Sequence, residues 1–190
     1  DGAPPRPLAE VLADVHRVKS KLSQGAHSAL RSELTRAVAA DPQAPAKLES
    51  ELRKGGLYEE AENLLGEALV GARTREAQRT VAAMFSAADV ARDTQLKILQ
   101  ASALMTDPGP EFVESLGKVV GAHADLSYRA QAAMVYAATT KQMTDPGRIE
   151  AVVKDLAVQA TPVLTPDTPT TPGKPGPPPG APVGVRIDWV

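Results

Sequence analysis

Apolar residues recur at three- and four-residue intervals along most of this chain, and short polar corners interrupt them at regular distances. That period turns one side of each segment toward a core and predicts a series of amphipathic helices. The first runs from about Pro7 to Leu22, with Leu8, Val11, Leu12, Val15, Val18 and Leu22 on one face. Ser23-Gln24-Gly25 is expected to stop it, because glycine suits the left-handed residue that follows a helix. Ser28 should cap a second helix that carries Leu30, Leu34, Ala37 and Val38 inward and ends before Asp41-Pro42. A third, about Ala44 to Lys54, buries Leu48 and Leu52 and ends at Gly55-Gly56.

From Leu57 the spacing becomes more regular. A helix at 58–71 presents Ala61, Leu64, Leu65, Ala68 and Leu69; Thr74 caps another at 75–86, with Ala77, Val81 and Phe85 inward. A helix at 90–104 bears Leu96, Leu99 and Leu104, and one at 111–122 bears Phe112, Val113, Leu116 and Val120. The next, 126–140, carries Leu126, Ala130, Ala133, Met134 and Ala137. Asp145-Pro146 opens the last, which runs to about Gln159 with Ile149, Val152, Val153 and Leu156 apolar. Proline suits a first helical turn, where its missing N–H would be unpaired anyway.

The corners repeat. Met-Thr-Asp-Pro-Gly occurs at 105–109 and at 143–147, and Ala88-Asp89-Val90 is echoed by Ala124-Asp125-Leu126. Self-similarity at a period of roughly 33 to 40 residues is the mark of stacked helix pairs that cover one another's apolar faces. A closed bundle of similar helices is the alternative. The recurring corner favours stacking, and the expected class is all-α: a right-handed α-solenoid of antiparallel helix pairs. Residues 1–57 form its less regular N-terminal helices and 58–160 its repeats.

Beyond Gln159 the pattern changes. Residues 161–190 hold nine of the chain's 17 prolines, so 161–182 is expected to be a Pro/Gly-rich extended arm. In 183–190, Val183, Val185, Ile187 and Trp189 alternate with Gly184, Arg186 and Asp188, the two-residue period of a half-buried strand. A lone strand is unstable, so these four residues are the candidate partner-binding set, joining a sheet edge on a partner or a neighbouring domain. Folding back as a cap on the repeats is the other outcome.

Composition narrows the chemistry. Aromatics are only 3% while 43% of residues are hydrophobic, so small apolar side chains dominate and helix-on-helix packing is favoured over a β-sandwich. A formal net charge of -2 is not that of a general nucleic-acid or anionic-membrane binder. The lack of cysteine removes disulfides, thiolate catalysis and cysteine-ligated zinc. No apolar run approaches the length of a membrane helix. The opening Asp1-Gly2-Ala3-Pro4-Pro5 is read as the start of a processed or excised segment, or of a mature exported chain in the cell envelope.

The stretch from Leu64 to Gln159 resembles bacterial HEAT-type repeats and, more loosely, the helical domain of vitellogenin-like lipid carriers. Carrying the resemblance are Leu64-Leu65-Gly66-Glu67-Ala68-Leu69, Gly71-Ala72-Arg73-Thr74-Arg75-Glu76-Ala77-Gln78, the two Asp-Pro corners, and Arg129 followed by Ala130, Ala132 and Ala133. About half of the chain is covered; residues 1–57 and the tail depart from the pattern. The resemblance implies a binding scaffold rather than an enzyme.

Site candidates are few. His16, His27 and His123 are dispersed, without metal-ligand spacing, and no short catalytic, nucleotide-binding or calcium-binding motif is present. Glu59, Glu60 and Glu62 are read as first-turn carboxylates favoured by the helix dipole rather than an acid–base pair. Arg73, Arg75 and Arg79 are read as a solvated face rather than a phosphate site, and Met84, Met105, Met134 and Met143 as core filling rather than a lipid groove. No catalytic residue, cofactor or metal is expected. The expected function is a non-catalytic scaffold or adaptor for a protein partner, with a hydrophobic-cargo carrier as the alternative.

Overall fold

The computed structural model describes residues 4–159, and all regular structure among them is helical. In chain order the helices are α1 (Leu8–His16), α2 (Gln24–Ala40), α3 (Ala44–Lys54), α4 (Glu59–Gly71), α5 (Arg75–Met84), α6 (Arg92–Ser102), α7 (Pro110–Ala122), α8 (Leu126–Thr139) and α9 (Pro146–Gln159). A 3-10 turn, Thr140–Gln142, follows α8. The all-α class expected from the spacing is the one that forms. The arm at 161–182 and the strand expected at 183–190 lie outside the described residues.

Local chemistry sets several helix ends. Ser23 Oγ accepts the Ala26 N–H at 3.3 Å, Thr74 Oγ1 that of Ala77 at 3.2 Å, and Asp125 Oδ1 that of Tyr128 at 3.0 Å, each satisfying a donor the first turn would leave unpaired. Helix α3 ends at Gly55 and Gly56, whose φ of +64° and +78° would strain a side chain. The first corner differs from the expectation. Helix α1 stops at His16 instead of Leu22, and α2 starts at Gln24, capped by Ser23 instead of Ser28. Gly25 therefore lies in the first turn of α2 and does not end α1. The Val18 N–H turns back onto the Val15 carbonyl at 3.0 Å and the Val18 side chain enters the core, which bends the chain early.

Helices two places apart lie side by side. α2 packs on α4, α4 on α6 and α6 on α8; α3 packs on α5, α5 on α7 and α7 on α9. Within a row neighbours run parallel. His27, early in α2, meets Glu60, early in α4, while Thr35 lies against Gly71 near the ends of the same two helices. The rows are joined chiefly by α4 on α5 and α7 on α8, and no principal packing connects α1–α3 with α7–α9.

One continuous core runs between the rows, from Val11 and Val15 through Leu34, Leu48, Leu64, Leu65 and Leu69 to Val81, Phe85, Leu99, Phe112 and Leu116. Phe85 and Phe112 meet edge to face, 5.6 Å between centroids. Most polar side chains that enter this core are satisfied; among the described residues the exception is Arg92, whose Nη1 is buried without a hydrogen-bond partner. Gln78 is nearly buried; its Nε2 donates to the Asp107 carbonyl at 3.1 Å and its Oε1 accepts the Gly109 N–H at 2.7 Å. That clamp holds Asp107 at φ +49°, a conformation non-glycine residues rarely adopt. The Tyr128 hydroxyl donates to the Phe85 carbonyl at 2.9 Å, and burial pushes its pKa up to about 12. The Arg92 guanidinium covers the same ring at 3.6 Å.

Two expected core assignments are corrected. Leu104 lies past the end of α6 and is 78% exposed. In α8, Leu126, Met134 and Ala137 face outward, and Tyr128, Ala132, Val135, Tyr136 and Thr139 face in. Alanine gives this helix little contrast between faces, so the two tyrosines decide its rotation. Their rings bury more area than Leu126 and Met134 would, and both hydroxyls find acceptors, Phe85 O and Asp155 Oδ2.

Replacing Gln78 with Ala leaves a buried N–H and a carbonyl unpaired and is expected to cost about 2–3 kcal/mol in urea-denaturation midpoints. Arg79→Ala, which removes a fully exposed ion pair at the next residue, should leave the midpoint unchanged within error.

Candidate functional site

The residues singled out from the sequence do not converge. His16 Nε2 lies 3.1 Å from Glu51 Oε2, His123 Nδ1 accepts the Asp125 N–H at 3.1 Å, and His27 lies between Glu60 and Glu67. The three imidazoles thus serve three separate corners. Among the described residues no group of three or more His, Cys, Asp or Glu is placed to hold a metal ion. Glu60 turns to His27 while Glu59 and Glu62 face Lys97 Nζ at 3.6 and 3.5 Å, so the first-turn carboxylates of α4 divide between two neighbours. Arg75 pairs with Asp107 at 3.5 Å and Arg79 with Glu111 at 2.5 Å, while Arg73 closes α4 in a left-handed conformation. Met84, Met105 and Met143 are core residues; Met134 is exposed. Val183, Val185, Ile187 and Trp189 lie outside the described residues.

What the fold does create is a groove of about 690 Å³ across α2, α4 and α6. Helix α4 is its floor. Gly66, Val70 and Gly71 keep that floor low, and Asn63 and Glu67 edge it. The glycines also admit the walls: a Cβ at Gly66 would touch Ile98 Cγ1 at 3.4 Å, and one at Gly71 would press Thr35 Cγ2 at 3.3 Å. Arg31, Ser32 and Arg36 stand on the α2 wall, and Lys97, Ala101 and Leu104 on the α6 side. This is a long, half-open surface with an apolar floor and ionic walls. Its hydroxyls have no free base beside them, since His27, next to Ser28 in the chain, has both ring nitrogens engaged by carboxylates.

Electrostatics at the N-terminal edge of the groove depend on one imidazole. His27 Nδ1 is 2.9 Å from Glu60 Oε1 and Nε2 is 3.1 Å from Glu67 Oε2, with Arg31 Nη1 also 3.4 Å from Glu67. Partial burial alone would lower the His27 pKa, but the carboxylates on either side outweigh it, and the net direction is up from the ordinary 6.5. The Glu60 carboxyl is held below its usual range mainly by that hydrogen bond. Both ring nitrogens can donate only in the imidazolium, so the charged form ties α2 to α4.

Sequence reasoning missed Arg36, Leu104 and Gly66 as groove residues, and Gln78 as the corner clamp. The one available signal was glycine inside a strongly apolar helix, Leu64-Leu65-Gly66, where it weakens the helix unless a neighbour must come close. A raised histidine pKa stabilises the fold most below the unfolded value and loses its effect as pH rises through the folded value. His27→Gln should therefore melt below the parent chain at pH of about 5.5, and the gap should close by about pH 8.5, read by circular dichroism. Comparison of the chain with protein-family models, with curated proteins and with solved structures finds no match.

Proposed function

We propose that this protein is a non-catalytic scaffold: a HEAT-like α-solenoid that binds a protein partner in the groove across α2, α4 and α6. The supporting observation is the recurrence of polar ties between helices two places apart. His27–Glu60, Arg31–Glu67, Arg79–Glu111, Arg92–Asp125 and Gln100–Gln131 each join residues 31 to 36 positions apart, about one repeat. On the solvent face the pair Glu114–Lys118 of α7 recurs as Glu150–Lys154 of α9, 36 positions on. Parallel rows with ties of similar span favour stacking over a closed bundle, in which first and last helices would meet. In the same reading, Val183, Val185, Ile187 and Trp189 add a strand to a partner or a neighbouring domain.

The hydrophobic-cargo alternative needs a broad apolar face. The groove instead carries Arg31, Arg36, Glu62, Glu67 and Lys97 on its margins, a lining that favours a peptide over lipid. No helix among the described residues is long and apolar enough to cross a membrane.

Three measurements test this reading. A chain ending at Ala122, without α8 and α9, should still melt cooperatively with its share of the helical signal; loss of the whole signal would establish a closed bundle. Removal of residues 161–190 should leave helical content and melting temperature nearly unchanged. Ile187→Asp and Trp189→Asp should weaken capture of a protein partner, and capture at the level of the parent chain would remove the strand-docking role.

A further inference from the structure

We propose that the ligand of the α2–α4–α6 groove is an acidic–apolar peptide, one that sets a carboxylate against Arg36 and, five or six residues away, a large apolar side chain against Leu104. The proposal rests on the reading of the groove as a protein-binding surface and names the chemistry that surface selects.

The charges that line the groove cancel in pairs and leave one over. Glu67 accepts from His27 and Arg31, and Glu62 lies 3.5 Å from Lys97. Arg36 is exposed and has no carboxylate partner among the described residues. Its guanidinium carries a rigid fork of donors that fits a carboxylate with two parallel hydrogen bonds. A basic side chain brought to this wall would meet that positive charge, whereas an acidic one would complete it.

Apolar surface is equally localised. Leu104 is 78% exposed on the far wall, with Val70 and Ala101 between it and α2. Arg36, Gly71 and Leu104 all lie toward the C-terminal ends of three parallel helices and so share one level of the groove. Neighbouring helix axes are about 8–10 Å apart, which places the two walls roughly 16–20 Å from each other. An extended chain advances about 3.3 Å per residue, so five or six residues span that width. The low floor at Gly66 and Gly71 lets the backbone of such a segment cross α4. Carboxylate, spacing and apolar anchor together define the ligand.

The test uses the full chain and fluorescein-labelled peptides of about twelve residues on a Ser/Ala background, with one glutamate and one leucine set about three, six or nine positions apart. Fluorescence anisotropy should show saturable binding strongest at the middle spacing, weakened about tenfold by Arg36→Glu and by Leu104→Asp. A peptide with lysine in place of glutamate should bind Arg36→Glu better than it binds the parent chain. Ser32→Trp, an exposed change that fills the groove, separates the two levels of the reading. Binding abolished by Ser32→Trp but indifferent to Arg36→Glu keeps the groove and overturns the acidic ligand. No saturable binding up to about 1 mM, or binding untouched by all three variants, overturns the acidic ligand, and indifference to Ser32→Trp removes the groove as well. Tighter peptide binding by full-length Trp189→Ser would put the chain's own terminal segment in the groove and overturn an external partner.

Discussion

The approach of α2 and α6 to the two sides of α4 is the contact on which the rest of the described structure depends. Ala61, Leu64, Leu65, Ala68 and Leu69 of α4 are buried together with Gly66 and Val70, leaving this helix little solvent face. Burying that much apolar surface is the main driving force available to a chain with so few aromatics. It requires neighbours on nearly every side, and helix α5 supplies one of them from the second row. Gly66 and Gly71 lie where the first-row neighbours come close: a methyl at Gly71 would press Thr35 at 3.3 Å, and one at Gly66 would just touch Ile98 at 3.4 Å. The groove follows from the same contact: small residues on α4 sink its floor while longer side chains on α2 and α6 rise beside it.

Polar contacts divide into two kinds with different consequences. The exposed ties between successive helices, such as Arg79–Glu111 and Arg92–Asp125, are screened by water and contribute little to stability. Their value is register, since each is satisfied only when the two helices lie side by side with matching ends. The buried ones act on stability. Gln78 satisfies two backbone groups of the corner before α7, and Tyr128 satisfies the Phe85 carbonyl at the end of α5. Removing either partner strands a desolvated group, which costs more than the bond itself contributes. A helix array built this way is positioned by its surface and held by a few buried polar side chains and a continuous apolar core.

How far the chain could be read beforehand varied with contrast between helix faces. Helix α3 was legible at both ends, since Leu48 and Leu52 leave no doubt about its inner face and Gly55-Gly56 can follow only a helix that has ended. At the first corner the expected cap was Ser28, but Ser23 caps α2 instead, because Val18 folds into the core and ends α1 early. In α8 the apolar spacing pointed to Leu126 and Met134, yet Tyr128 and Tyr136 turned inward because a partner for each hydroxyl lies on another helix. No local pattern reports such a partner. The groove was illegible for the same reason: Arg36, Gly71 and Leu104 are far apart in sequence, and their common level exists only once three helices are parallel. The terminal residues Val183, Val185, Ile187 and Trp189 stay a proposal carried by their alternation alone.

The two Met-Thr-Asp-Pro-Gly corners show how tertiary neighbours act on identical local sequence. At 143–147 the Asp145 carboxylate accepts the Gly147 N–H at 2.9 Å and helix α9 begins at Pro146. At 105–109 the same residues delay the helix to Pro110, with Asp107 left-handed. The cause is contact from both sides: Gln78 of α5 holds Asp107 and Gly109, and Arg148 of α9 donates to the Pro108 carbonyl at 2.7 Å. A corner flanked by both neighbours of its row gives its backbone groups to them, whereas the later corner caps its own helix. Glycine placement follows the same logic. Gly117 and Gly121 of α7 lie where Asp155 and Gln159 of α9 come close, and the positions one repeat later are Val153 and Ala157, both exposed. In α4 and α7, then, glycine inside a helix lies where a neighbouring helix comes near. Larger side chains return to the equivalent positions of α9, the last helix described.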